Sequence, residues 1–431
     1  MEWAILQLAV VLVAYAAVSG RLHGSAITPA IVFTGIGYLV GADGLELIGA
    51  ELDAETVRLL AEVTLALVLF GDASALQVGL LRREAGIPIR LLGVGLPLII
   101  VIGGVLALVM FPRLSLLEAF VLAVLLAPTD AALGQTVVSD ERLPSRLRQG
   151  LNVESGFNDG VCVPLLFAAV AFAELDEAPT FDGQIIVDLV KEVGIATAVG
   201  ALAAAAVALV ITNSKRVGWL EHHWAQVVPL ATAAIAYTAT VELGGSGFIA
   251  AFVGGLVYRQ ILGPSTAHET TRLTEELGGV LSAVTFFVFG ANVIGSGITD
   301  LDASTVIYAI LSLTVVRMVP VALSLIGTGA APATMAFAGW FGPRGLATIV
   351  FMLTIVGESN LAGTGRIVQV ATATVLLSVV AHGLSAPLLT ERYVRWFSTS
   401  AERLTLESSD AAGLIGPEKR SVWHRRSPQR Q

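Results

Sequence analysis

The sequence predicts an all-α polytopic membrane protein of about thirteen transmembrane helices, and three observations lead there. Of its 431 residues, 55% are hydrophobic and only 14% are charged, with a mean hydropathy of +0.80, far from the balance of a soluble globular domain. The apolar stretches are continuous over about 17–25 residues, whereas the strands of a membrane barrel would alternate polar and apolar over about 10. The chain also carries 44 glycines and many alanines, small residues that let helices approach closely where lipid removes the hydrophobic force between them.

The expected spans fall near residues 4–19, 27–42, 57–80, 90–111, 118–138, 150–173, 185–212, 224–241, 246–263, 277–296, 303–327, 333–357 and 366–390. The first begins Met1, Glu2, Trp3 without a basic leader and reads as a span rather than a cleaved signal. The eighth and ninth are separated only by Glu242 to Ser246. Positively charged loops stay cytoplasmic, so Arg21, the group Arg82, Arg83 and Arg90, the group Arg142, Arg146 and Arg148, the pair Lys215 and Arg216, then Arg259 and Arg272, belong inside. The alternate loops hold Asp43, Glu46, Glu51, Asp53 and Glu55, and Glu174, Asp176, Glu177 and Asp182, and belong outside. An outward amino terminus and a cytoplasmic carboxyl terminus follow for a protein of the plasma or inner membrane. The transmembrane domain takes residues 1–396. The polar remainder, 397–431, reads as a disordered cytoplasmic tail, with Lys419, Arg420, Arg425, Arg426 and Arg430 able to meet anionic headgroups.

Several classes drop out. The lone Cys162 excludes an internal disulfide, no Cys/His cluster has metal-ligand spacing, and His222 and His223 read as interfacial loop residues. The net charge of −9 reflects acidic loops and implies no nucleic-acid partner. No resident cofactor is expected.

Two helices are broken in matching places. Pro128 interrupts the fifth span and Gly342-Pro343-Arg344-Gly345 the twelfth. If spans 1–6 and 8–13 are two repeats joined by span 7, each break lies in the fifth helix of its repeat, and the repeats are inverted. This arrangement builds a midplane ion site from unwound backbone and half-helix ends. Either proline alone could merely kink a packed helix. The charges beside the breaks argue for more: Thr129 can cap the half-helix after Pro128, Asp130 sits at its positive end, and Arg344 follows the other break. One break would then serve helix amino ends and the other carboxyl ends.

Charges at membrane depth mark ion pathways or internal pairs. In Asn152-Val153-Glu154-Ser155-Gly156-Phe157-Asn158-Asp159-Gly160, Ser155 and Asp159 share one helical face, and Glu154 and Asn158 share the next. Gly156 and Gly160 leave room for another backbone. Carboxylate, hydroxyl and amide oxygens suit Na⁺ or K⁺, and the fifth span can add Thr129 and Asp130 to the ion-binding set. Asp130, Glu154 and Asp159 set against Arg317 and Arg344 leave one negative charge, enough for one monovalent cation or one proton. Glu154 is read as a salt-bridge partner shaping the site, Arg317 has no partner evident in sequence, and Asp72 is set aside as a buried, hydrogen-bonded acid.

These residues resemble the cation:proton antiporters of the NhaP and sodium/proton exchanger branch. The likeness rests on Pro128-Thr129-Asp130, on Glu154-Ser155 with Asn158-Asp159, and on Phe341-Gly342-Pro343-Arg344-Gly345, with helix order agreeing over nearly the whole chain. It implies that Asp159 exchanges cation for proton, with Thr129 and Ser155 as further ligands, Asn158 and Asp130 supporting the crossing, and Glu154 bridged to Arg344. It further implies a homodimer, with a dimerisation part at about 1–80 and 185–296 and a moving core at about 90–173 and 303–390, exchanging one Na⁺, Li⁺ or K⁺ for one H⁺ by alternating access. Gly156-Phe157 departs from the usual aliphatic pair and leaves Na⁺ against K⁺ open. A cation channel would need a continuous pore and a filter ring, and an intramembrane enzyme would need a nucleophile or His-Glu-x-x-His motif; the sequence offers neither.

Overall fold

The computed structural model describes residues 2–22, 24–41, 44–45, 54–76, 86–174, 183–295, 301–359 and 361–399. Asp43, Glu46, Glu51, Asp53, Arg82, Arg83, Asp176, Glu177, Asp182 and the tail beyond Thr399 lie outside them. The described residues form helices and no strand: α1 Glu2–Leu22, α2 Pro29–Val40, α3 Ala54–Ala75, α4 Gly86–Met110, α5 Leu116–Leu125, α6 Ala131–Val138, α7 Ser145–Ala173, α8 Gly183–Arg216, α9 His222–Glu242, α10 Gly247–Leu262, α11 Pro264–Asn292, α12 Ala303–Ser324, α13 Pro332–Trp340, α14 Leu346–Glu358 and α15 Thr364–Thr399. Seven are long and apolar enough to cross a membrane, and shorter apolar helices accompany them.

Both expected breaks occur where the sequence puts them. The fifth span is α5 and α6 around residues 126–130, and the twelfth is α13 and α14 around 341–345. Proline has no N–H to give and restricts the residue before it, which favours a break. Pro164, Pro229, Pro320 and Pro387 are nonetheless carried inside α7, α9, α12 and α15, so proline alone does not mark these two breaks. Where polar residues border an apolar run, helices outlast the hydropathy. The tenth span starts at Pro264, not near 277, because Gly263 turns with φ 80° and Pro264 takes the first helical position. Arg272 is therefore a helix residue, ion-paired with Glu276 at 2.9 Å, rather than a loop residue. The last helix likewise continues to Thr399, past the expected end of the span.

The helices pack in two groups. In one, α10 lies against α8, α3 and α9, and α11 against α2 and α3. In the other, α5 sits between α4 and α7, and α15 packs on α12, α14 and α6. Small residues set the approach distances in the first group. A Cβ on Gly200 of α8 would stand 2.7 Å from the Ala250 Cα of α10, so only glycine permits that crossing. The groups meet where α14 and α7 each touch α3.

Candidate functional site

The breaks cross, and their backbones are joined: the Asp130 N–H donates to Pro343 O at 2.8 Å. Four half-helix ends converge there, each with unpaired backbone groups that lipid cannot satisfy. Asp130 serves two amino ends. Its Oδ1 accepts the Leu133 N–H of α6 at 3.2 Å and its Oδ2 the Leu346 N–H of α14 at 2.7 Å. Arg344 serves a carboxyl end, donating through Nη1 to Ala127 O at 2.7 Å and Pro128 O at 2.9 Å after α5. The division of labour expected from the opposite charges is thus present. The cap itself differs from expectation, because Asp130 and not Thr129 takes the amide of α6.

Gly345 has a negative φ of −159°, and space requires its glycine. A Cβ there would come 2.8 Å from the Asp130 Cγ.

Thr129 instead faces α7. Its carbonyl accepts the Ser155 hydroxyl at 2.5 Å and its Oγ1 accepts Asn158 Nδ2 at 2.7 Å. Glu154 is paired with Arg317, not with Arg344: Nη2 donates to Oε2 at 2.8 Å and Nη1 to Oε1, with both side chains almost wholly buried. The expected Glu154–Arg344 bridge is corrected by this geometry. Arg344 is held by carbonyls that only the fold brings near, while Arg317, from α12, reaches α7 across 163 positions of sequence.

Asp159 is buried, and its Oδ1 has no hydrogen-bond partner. It lines a cavity of about 430 Å³ between the two helix groups, which Asp130 and Asp72 also line. Asp72 is half-buried in this cavity instead of sealed in the protein, and a Cβ on Gly156 would stand 3.8 Å from the Asp72 Cβ. Gly156 and Gly160 accordingly make room for side chains, Asp72 with Leu76 and Phe252 respectively, rather than for another backbone. Phe157 points away and packs edge-on against Phe252 at 5.3 Å.

Sequence reasoning missed two supports. The Arg344 N–H donates to Ser378 Oγ at 2.7 Å, and His382, one turn on along α15, sets its Nε2 2.9 Å from Trp340 O at the carboxyl end of α13. The Ser-x-x-x-His spacing on one helical face was the available signal, but nothing local tied it to a break 42 residues away.

Residues 8–392 match the family described as "Sodium/hydrogen exchanger, transmembrane". A protein of Shewanella sp. strain ANA-3 named K(+)/H(+) antiporter NhaP2 is 25% identical over 386 residues, which cover 88% of this chain and 64% of that relative. This chain thus spans just under two thirds of the relative's length. The Na(+)/H(+) antiporter ApNhaP of Aphanothece halophytica is 24% identical over 377 residues, 84% of this chain and 70% of its own. The structure of the sodium proton antiporter MjNhaP1 from Methanocaldococcus jannaschii at pH 8 superposes with a TM-score of 0.73 and 21% identity, over 89% of this chain and 99% of that one, and shares the fold.

Proposed function

From the premise that the chain belongs to the transmembrane sodium/hydrogen exchanger family, we propose that it exchanges a monovalent cation for a proton by alternating access at Asp159. The observation that carries the reading is charge placement at the crossing. Glu154 is matched by Arg317, and Asp130 and Arg344 are taken up by half-helix ends, which leaves the Asp159 carboxylate facing a cavity with an unpartnered oxygen. An uncompensated carboxylate in a low-dielectric site is neutralised by either a cation or a proton, and one negative charge suits one of either. Exchange is then electroneutral. Ser155 and Thr129 supply further oxygens for the cation, Asn158 holds Thr129 in place, and Glu154, Arg317, Asp130 and Arg344 hold the crossing.

In this reading, thirteen crossings form two inverted repeats. Residues 1–80 and 185–296 make the dimer scaffold, and 90–173 with 303–390 move against it. Na⁺ is favoured. One relative is named for K⁺ and another for Na⁺, so K⁺/H⁺ exchange is the second reading. Proteoliposomes carrying a pH dye and challenged with Na⁺, Li⁺ or K⁺ test it. Saturable, cation-dependent proton movement is expected, insensitive to membrane potential; potential-driven cation flux without proton movement would overturn it.

A further inference from the structure

We propose that Thr274 and Glu275 of α11, facing Asp72 of α3, form a second cation station at the mouth of the cavity, on the helix group opposite Asp159. The proposal rests on the antiporter reading and adds a binding step before the transported site.

Thr274 is the clearest sign. It is fully buried, lines the cavity, and its hydroxyl has no hydrogen-bond partner. A threonine in a helix ordinarily returns its hydroxyl to the carbonyl four residues back, as Thr270 does to Thr266 O at 3.0 Å and Ser282 to Gly278 O at 2.8 Å on this same helix. Thr274 does not, and a buried hydroxyl left without a partner in the cavity wall is costly unless something there uses it.

A carboxylate stands next to it. Glu275 is exposed, lines the same cavity, and accepts the Thr271 hydroxyl on Oε1 at 3.1 Å, which steadies it one turn along the helix. Across the gap, α3 comes close because Gly71 has no side chain: a Cβ there would meet Glu275 Cγ at 3.8 Å and Thr274 Cγ2 at 4.0 Å. Asp72 follows Gly71 and is half-buried.

Exposure therefore falls from Glu275 through Asp72 to Asp159, and oxygen ligands are present at each stage. Hard carboxylate and hydroxyl oxygens can replace the water around an alkali cation, which sheds its hydration here in steps. The other charges facing the cavity are Asp130, already engaged by two amides, and Arg148, whose Nε donates to Leu143 O at 3.3 Å. Being on the opposite helix group from Asp159, the station would stay with the scaffold when the core moves, loading the site in one state and losing contact with it in the other.

The test uses the full chain in proteoliposomes with Na⁺ as probe. Thr274→Val keeps the shape and removes the hydroxyl; Glu275→Gln removes the charge. Each is expected to raise the KM for Na⁺ by about threefold to fivefold, the scale of one screened contact, with Vmax retained. Glu276→Gln removes an equal charge one position on, from a residue paired with Arg272 outside the cavity, and is expected to leave KM unchanged. Equilibrium binding of ²²Na⁺ in the Asp159→Asn background should show a weak residual site that Glu275→Gln abolishes. Unchanged KM in both station variants, Vmax loss at constant KM, or no residual binding would overturn the station. Failure of the unaltered protein to exchange at all would instead overturn the antiporter reading.

Discussion

Asp159 and Glu154 sit five positions apart on α7, yet their surroundings give them opposite duties. Glu154 is locked two-pronged to Arg317, and Asp159 lines the cavity and keeps one oxygen without a partner. Asp159→Asn retains volume but can carry neither the proton nor the negative charge. Exchange should vanish in proteoliposomes while the variant stays monodisperse, and robust saturable exchange would remove Asp159 from its role. Asp130→Asn should be milder, costing about 1–3 kcal/mol of stability and some cation affinity, because an amide presents one acceptor where two backbone N–H groups now bond. Glu154→Gln leaves the Arg317 guanidinium buried without its anion, at a cost of order 3–5 kcal/mol. Thermal unfolding should show that Arg317→Met recovers much of this loss while Arg344→Met does not, since Arg344 bonds carbonyls instead. That partnership was hidden in sequence. Arg317 and Arg344 are both charges at membrane depth near Glu154, and only the path of α12 decides which one arrives.

Among the elements, the breaks were legible because each pairs a proline with a charged residue inside an apolar run, whereas Pro164, Pro229, Pro320 and Pro387, which have no charge beside them, stay inside helices. The opposite charges announced which ends they would satisfy. Helix lengths were less legible. Hydropathy marks where lipid begins, and an amphipathic turn in water, such as Pro264–Glu276, extends a helix without any apolar signal. The start of α12 offers an element-scale test. Its N-cap Asp302 accepts the Thr305 hydroxyl at 2.6 Å and amide at 2.9 Å, and Arg366 of α15 at 3.0 Å. Thr305 above all holds this carboxyl well below the usual carboxylate range. The folded value is depressed, so its stabilisation is present above the unfolded value near ~4 and fades as pH falls below it toward the folded one. Asp302→Ala should cost about 1 kcal/mol at neutral pH, and its unfolding temperature should converge on that of the unaltered protein in acid. A constant gap from pH 7 down to strong acid would show that the carboxylate charge contributes nothing.

At the scale of the whole molecule, the proposed mechanism requires that the cavity beside Asp159 open to one side of the membrane only. The expected positive-inside topology would point it at the cytoplasm, since Ser139 and Arg148, which line the cavity, flank the 139–144 connection that holds Arg142, with Arg146 in the first turn of α7. Orientation of this kind is an expectation from loop charge that labelling can test; the cavity has no signal in the sequence, because it forms between helix groups far apart along the chain. Gly279 joins the two questions. It lines the cavity, and a Cβ built on it meets nothing within 4 Å, so a cysteine fits without disturbing the packing. The native Cys162 is buried in α7 and is replaced by serine to leave one reactive thiol. A membrane-impermeant thiol reagent should label Gly279→Cys in inside-out vesicles and not in right-side-out ones, and the attached group should block exchange by filling the path to Asp159. Prior addition of a proton gradient that favours the outward-facing core should slow labelling, because closing the cavity is what alternating access means for this face. Labelling confined to right-side-out vesicles would invert the topology, and labelling that leaves exchange intact would show that the cation reaches Asp159 by another route.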